Sequence, residues 1–136
     1  MWLIRTKLEP PAPTDRLIPR HRLRKRLPVL MKSRLTLVHA PAGFGKTSLL
    51  AEWARCLRKQ NVRVAWLSVD EEDAEPLQFF AYLTAALEAS GIEVGHLGPV
   101  AARGFPDVPV TSIVAALTGA IAIWRSEERR VGKECR

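Results

Sequence analysis

Two apolar segments of the chain, residues 35–39 and residues 62–69, predict buried β-strands. The first reads Leu-Thr-Leu-Val-His, and the second holds one charged residue, Arg63, among mostly apolar side chains. Segments of this length and composition are typical of strands covered on both faces, as in a parallel sheet. The sequence between them has helical periodicity, so we expect a β-α-β unit with a right-handed crossover.

Helical periodicity predicts four helices, over about residues 20–30, 46–60, 76–90 and 111–124. Asn61 is a plausible C-terminal cap for the second helix, and Gly91 ends the third. Thr111 is placed to cap the fourth at its N-terminus. Residues 92–109 are punctuated by Gly and Pro, and we expect them to form a loop.

The residues between the first strand and the next helix form a phosphate-binding motif of the Walker A type. They are Ala40, Pro41, Ala42, Gly43, Phe44, Gly45, Lys46 and Thr47. A polyphosphate needs inward-pointing backbone N–H groups, a helix N-terminus behind them and a compact cation. The two glycines would let the backbone come close, Lys46 would reach the β- and γ-phosphates, and Thr47 would coordinate Mg²⁺. The motif therefore predicts a site for ATP or ADP with Mg²⁺.

The motif departs from the strict pattern at one position, because Ala40 replaces the first glycine. A turn that does not require positive φ accepts this change. A dinucleotide-binding motif is excluded, since Ser48 stands where its third glycine belongs. The alternative is a glycine-rich turn between a strand and a helix that carries an exposed lysine.

A phosphate-binding loop between a strand and a helix predicts an α/β fold class: a P-loop NTPase with a parallel sheet flanked by helices. Such a domain usually needs about five strands, and only two are evident, so we expect an incomplete domain. We divide the chain into a basic lead-in and helix at residues 1–34, a partial nucleotide-binding domain at 35–125 and a tail at 126–136.

Composition agrees with one globular domain and adds no metal site. The chain has 136 residues, of which 47% are hydrophobic and 26% charged. The longest uncharged apolar run, residues 113–124, is shorter than the roughly 20 residues that span a bilayer. We therefore expect no membrane contact and a cytoplasmic location. The two cysteines and three histidines show no metal-ligand spacing.

The net charge of +7 comes from the start of the chain. Residues 1–34 hold ten Lys or Arg against two acids, whereas residues 35–126 hold seven against nine. A basic segment of this kind can be a nucleic-acid patch. The favoured alternative is the solvated face of a short helix, because Leu17, Leu23 and Leu27 recur at roughly helical spacing.

Together these residues resemble the large ATP-binding LuxR-type transcriptional regulators, a group of signal-transduction ATPases. The resemblance covers nearly the whole chain. It is carried by residues 3–8, 17–20, 22–23, 40–47, 49–53 and 66–70, and it continues from Phe79 to about Trp124.

The resemblance implies a molecular switch whose N-terminal module binds ATP or ADP. A small-molecule or protein inducer and promoter DNA would be bound by C-terminal domains, and the ATP form would self-associate. In related switches an arginine before the loop lies over the base, which makes Arg20 a candidate for the adenine side. Weak ATPase activity in the parent protein is compatible with this role.

The last residues depart from the family pattern. The family continues into an apolar strand that ends in acidic residues, whereas here seven of residues 127–136 are charged. Our hypothesis is that the sequence after about Arg125 is foreign to the gene. Without the acidic strand, we expect this chain alone to bind nucleotide weakly and to be inactive in hydrolysis and transcription.

Three alternatives stay open at this point. Asp70 follows an apolar segment and could hold Mg²⁺, although an acidic helix N-terminus explains it as well. A small P-loop kinase or phosphotransferase would carry the same loop, but its lid should contain an arginine cluster, and residues 91–96 contain none. The third alternative is a basic nucleic-acid-binding protein in which the loop is incidental.

Overall fold

The computed structural model describes residues 3–12 and 20–134, which are mainly helical. Their helices are α1 (His21–Arg24), α2 (Leu27–Leu30), α3 (Lys46–Lys59), α4 (Pro76–Ala89), α5 (Leu97–Ala101) and α6 (Val110–Glu134). Short 3-10 turns form at Arg5–Lys7 and Glu71–Ala74. Residues 17–19 and Cys135, which the sequence analysis used, lie outside the described residues.

The chain divides into two compact units. The loop unit is Pro10–Val64, and the helical unit joins Met1–Glu9 to Ala65–Arg136. The domain boundaries expected from the sequence, after residues 34 and 125, stay predictions. The motif of residues 40–47 and the helix that follows it both belong to the loop unit.

The predicted parallel sheet is wrong: the described residues contain no β-strand. A strand exists only when a neighbour completes its hydrogen-bond ladder. Within the described part of the chain, no backbone–backbone hydrogen bond involves residues 35–39. Leu35 and Leu37 are 85% and 86% exposed, so the apolar pattern that suggested burial is not matched by packing. Residues 62–69 are likewise outside any strand.

The predicted helix after the motif is confirmed by α3, which ends one residue before the expected Gln60. Asn61 has a φ of 59°, as expected of a residue just past a helix C-terminus. The helix after the acidic turn is also confirmed. It begins at Pro76, where the Glu75 carboxylate accepts a 2.7 Å hydrogen bond from the Gln78 N–H.

Three other expectations need correction. Residues 20–30 form two short helices instead of one, with Pro28 in the first turn of α2, a position where proline starts a helix. The expected loop at residues 92–109 contains α5. The last helix starts one residue before Thr111 and continues through Glu134, because the charged residues there are mostly good helix formers.

Each unit has its own core. In the helical unit, α4, α5 and α6 surround Phe105 and Ile113, both 0% exposed. In the loop unit, Leu27 of α2 packs with Leu49 and Trp53 of α3. This packing buries one face of α3. No helix in the described part of the chain is long and apolar enough to cross a membrane.

Candidate nucleotide-binding loop

The two glycines of the motif adopt the left-handed backbone region. Gly43 has a φ of 81°, and Gly45, which precedes α3, has a φ of 74°. A residue with a Cβ atom pays roughly 1–2 kcal/mol to adopt this conformation. The chain therefore uses the glycine at both positions to bend tightly before the helix.

Lys46 folds back over the loop. Its Nζ atom donates hydrogen bonds of 2.7 Å to the carbonyl oxygen of Ala40 and 2.8 Å to that of Pro41. The side chain is half-buried, and its ammonium group lies against the first two residues of the motif. One cation is thus held against the loop by two backbone carbonyl oxygens.

The first backbone N–H groups of α3 have no hydrogen-bond partner within the helix. Leu49 donates the first backbone bond, 3.0 Å, to the Gly45 carbonyl, and the N–H groups of the residues before it have no partner inside the helix. No described side chain caps this end, because Gly45 has none to offer. Uncapped N–H groups and the positive end of the helix dipole favour an anion here.

Arg20 also lies at the loop. Its Nη2 atom donates a 2.9 Å hydrogen bond to the Phe44 carbonyl. A Cβ atom built on Gly45 would come within 3.0 Å of the same nitrogen. The structure therefore brings Arg20 together with Phe44 and Gly45, while the Phe44 side chain is 61% exposed. Which part of a nucleotide Arg20 contacts stays a prediction.

Thr47 is the one motif residue suited to Mg²⁺. Its side chain belongs to the first turn of α3 and is exposed. The described residues contain no group of three His, Cys, Asp or Glu that could hold a metal ion. Thr47 could offer a Mg²⁺ ion one protein hydroxyl, and its role as a ligand stays a prediction.

Asp70, the alternative Mg²⁺ residue, has a structural role. It is the N-terminal cap of the turn Glu71–Ala74 and accepts a 3.1 Å hydrogen bond from the Glu72 N–H. Its other carboxylate oxygen forms a 2.9 Å ion pair with Lys7. The acidic segment therefore forms a capped turn before α4, whose own N-terminal cap is Glu75, and the Asp70 carboxylate already has a cation.

The sequence analysis did not predict Lys7 as the partner of the turn Glu71–Ala74. Lys7 is buried and also donates hydrogen bonds of 2.9 and 2.8 Å to the two carboxylate oxygens of Asp73. These bonds, with a further one from the Asp70 N–H, lower the pKa of Asp73 from 3.8 to about 2. Asp73 and Asp70 together raise the pKa of Lys7. The Lys7 ammonium also lies 5.2 Å from the Tyr82 ring centre. The sequence carried no signal for this pairing, because Lys7 and Asp73 are 66 residues apart.

Comparison with known proteins gives several relatives of known name. The chain is 43% identical over 95 residues to the HTH-type transcriptional regulator MalT of Serratia proteamaculans, which covers 69% of this chain and 10% of that protein. It is 34% identical over 125 residues to MalT of Cronobacter sakazakii, covering 90% and 13%. It is 39% identical over 82 residues to the serine/threonine-protein kinase PknK of Mycobacterium tuberculosis, covering 60% and 7%.

The matches are partial. No family model and no solved structure matches the chain. The chain spans about a tenth of the length of the named relatives, so the activities of those whole proteins are not thereby assigned to it. The stretch of up to 125 residues that it shares with MalT nevertheless includes residues of both units. Over that stretch, the chain is related to the MalT-type transcriptional regulators.

Proposed function

We propose that the chain binds ATP or ADP, with Mg²⁺, at residues 40–47 and serves as the nucleotide-binding module of a MalT-type transcriptional regulator. One observation carries the proposal. The loop combines a cation, Lys46, held 2.7–2.8 Å from two loop carbonyls with an uncapped helix N-terminus directly behind two left-handed glycines. This combination of donors suits a polyphosphate.

Each group of the loop would bind a different part of the ligand. Backbone N–H groups at the start of α3 would bind phosphate oxygens. Lys46 would exchange its two carbonyl acceptors for the outer phosphates, and a charge-assisted bond to phosphate is stronger than a bond to a neutral carbonyl. Thr47 would hold Mg²⁺, which neutralises phosphate charge when it is bound. Arg20, fixed on the Phe44 carbonyl, would lie on the adenine side.

In a regulator, this binding would act as a switch in the cytoplasm. ATP together with an inducer would favour a self-associating form that binds promoter DNA, and ADP would favour the resting form, as differential affinity requires. The inducer and the DNA would be bound by parts of such a protein outside this chain. The similarity to MalT supports the regulatory context, and the loop supports the nucleotide.

Calorimetric titration of the 136-residue chain with a non-hydrolysable ATP analogue and Mg²⁺ tests the proposal. Lys46→Ala should weaken binding by about 10- to 100-fold, since each charge-assisted bond contributes about 1.5–3 kcal/mol. Lys32→Ala removes an exposed lysine of the same unit away from the motif and should leave the affinity unchanged. Equal affinities for the two variants would refute the loop assignment.

Two further variants separate the roles within the loop. Thr47→Val should abolish the gain in affinity that Mg²⁺ gives, while binding measured in EDTA stays the same. Arg20→Ala should weaken ATP binding but not tripolyphosphate binding, because only the nucleotide has a base. If Arg20→Ala weakens both ligands equally, Arg20 acts on the loop and not on the adenine.

A further inference from the structure

A cavity lies along the C-terminal half of α3. This cavity has a volume of about 290 Å³ and is lined by Arg24, Glu52, Arg55, Cys56, Lys59 and Gln60. We call it the basic cavity. Arg55 follows Lys46 by nine residues of helix, or about 14 Å along the axis at about 1.5 Å per residue. The basic cavity is therefore distinct from the phosphate-binding loop, although one helix contributes to both.

The helical residues of the basic cavity form one stripe. Glu52, Arg55, Cys56 and Lys59 are spaced at i, i+3, i+4 and i+7, so they share a face of α3. Arg24 of α1 faces this stripe and pairs with Glu52. The lining thus combines three cations with one carboxylate. The carboxylate repels an anion, but the net charge of the lining is positive.

The charges of the basic cavity are poorly neutralised by the protein. The shortest approach between Arg24 and Glu52 is 3.8 Å, too long for a hydrogen bond, and the Arg24 side chain is 49% exposed. Among the described residues, Arg55 and Lys59 form no ion pair, and no hydrogen bond from either side chain is found. Arg55 is half-buried, and no acceptor for its guanidinium is found among the described residues.

The helix dipole explains only part of this arrangement. Cations near a helix C-terminus are favourable, which accounts for exposed Lys59 without any ligand. Arg58, next to it, has an acceptor within the protein, because it donates a 3.2 Å hydrogen bond to the Val64 carbonyl. Arg55 has no such acceptor in the described residues and lines a cavity instead. A half-buried arginine, an exposed lysine and a second arginine facing one concave space fit an anionic ligand.

We propose that the basic cavity binds the phosphate group of a small phosphate-bearing molecule. The Arg24 and Arg55 guanidinium groups would supply paired donors, which match phosphate geometry, and Lys59 would add a point charge. The volume is at the low end for ligand sites, so the ligand is a compact phosphate ester or diphosphate and not a polymer. The proposal does not depend on nucleotide binding at residues 40–47.

The thiol of Cys56 lines the basic cavity and reports on its occupancy. In a Cys135→Ser background Cys56 is the only remaining cysteine, and its alkylation by uncharged iodoacetamide can be followed by mass spectrometry. The probe is inorganic pyrophosphate, compared with sodium chloride at equal ionic strength. We expect saturable slowing of alkylation by pyrophosphate alone. Slowing that does not saturate, or that chloride reproduces, overturns the proposal.

Variants then locate the binding. Arg55→Gln should raise the half-saturating pyrophosphate concentration by about tenfold or more, because it removes a charge-assisted contact. Lys59→Gln, at an exposed position that should not affect folding, should also raise this concentration. Exposed Lys25, outside the cavity, provides the matched control Lys25→Gln, which should have no effect. Lys46→Ala should also leave protection intact, and its loss in that variant would assign the anion to the loop.

Discussion

The two loop glycines allow a direct test of the loop geometry. Gly43 has a φ of 81°, and a Cβ atom built on it meets nothing within 4 Å. Gly43→Ala therefore carries only the backbone cost of a left-handed L-residue, about 1–2 kcal/mol. Gly45→Ala carries the same backbone cost at a φ of 74°, and its Cβ would also lie 3.0 Å from Arg20 Nη2.

The Arg20 contact should make the second substitution the more costly one. The guanidinium end is flexible and can move away, but moving it breaks the 2.9 Å hydrogen bond to Phe44. A solvent-exposed bond of this kind contributes about 0.5–1 kcal/mol. We therefore expect losses of about 1–2 kcal/mol for Gly43→Ala and about 1.5–3 kcal/mol for Gly45→Ala.

Gly119 provides a control with the opposite expected sign. It lies exposed within α6, where an added Cβ meets nothing within 4 Å, so Gly119→Ala should stabilise the helix by about 0.5–1 kcal/mol. Native-state hydrogen exchange on peptides from α3 and α6 reads the two units separately. If Gly43→Ala stabilised α3 as Gly119→Ala stabilises α6, residue 43 would not have positive φ, and the loop geometry would be refuted.

The remaining predictions concern the helical unit. Ile113→Ala should destabilise it by about 2–5 kcal/mol, because Ile113 is 0% exposed. Its neighbour Val114 is 43% exposed, so Val114→Ala should change stability by less than about 0.5 kcal/mol. Both losses can be measured by urea unfolding monitored by circular dichroism, and equal losses would contradict the prediction. The depressed pKa of Asp73 means that its stabilisation is complete above pH 3.8 and is lost as the pH falls through about 2. Acid titration of the unfolding free energy should show this loss in the wild type and a smaller one in Asp73→Asn, and equal slopes would argue against the Lys7 pair.

The parts of the structure that could be predicted from the sequence are local. Helix α3 follows from periodicity within 14 residues, and its two ends follow from Gly45 and Asn61. The loop conformation depends on glycines whose effect extends over one or two peptide units. Such features need no distant partner, which is why the expected helix limits after the motif differ from the observed ones by a single residue.

The sheet and the Lys7 cluster depend on distant partners, and reasoning from the sequence failed for both. Apolar, β-prone residues at 35–39 suit a strand, but propensity cannot supply the neighbour that a ladder requires. Lys7 and Asp73 are 66 residues apart, and nothing in the spacing of either links them. In the first case a long-range partner was assumed and is absent from the described residues. In the second it is present and was not foreseen.

The two proposed anion sites show why α3 needs different chemistry at its two ends. At its N-terminus, backbone N–H groups and the helix dipole both attract an anion, so one lysine and two glycines are sufficient. Near its C-terminus the dipole repels an anion, and an anion can bind only where side-chain cations outweigh that repulsion. Arg24, Arg55 and Lys59 provide this excess around a single carboxylate. The face of α3 that packs on Leu27 of α2 could not hold such a site, because Leu49 and Trp53 fill it with apolar contacts.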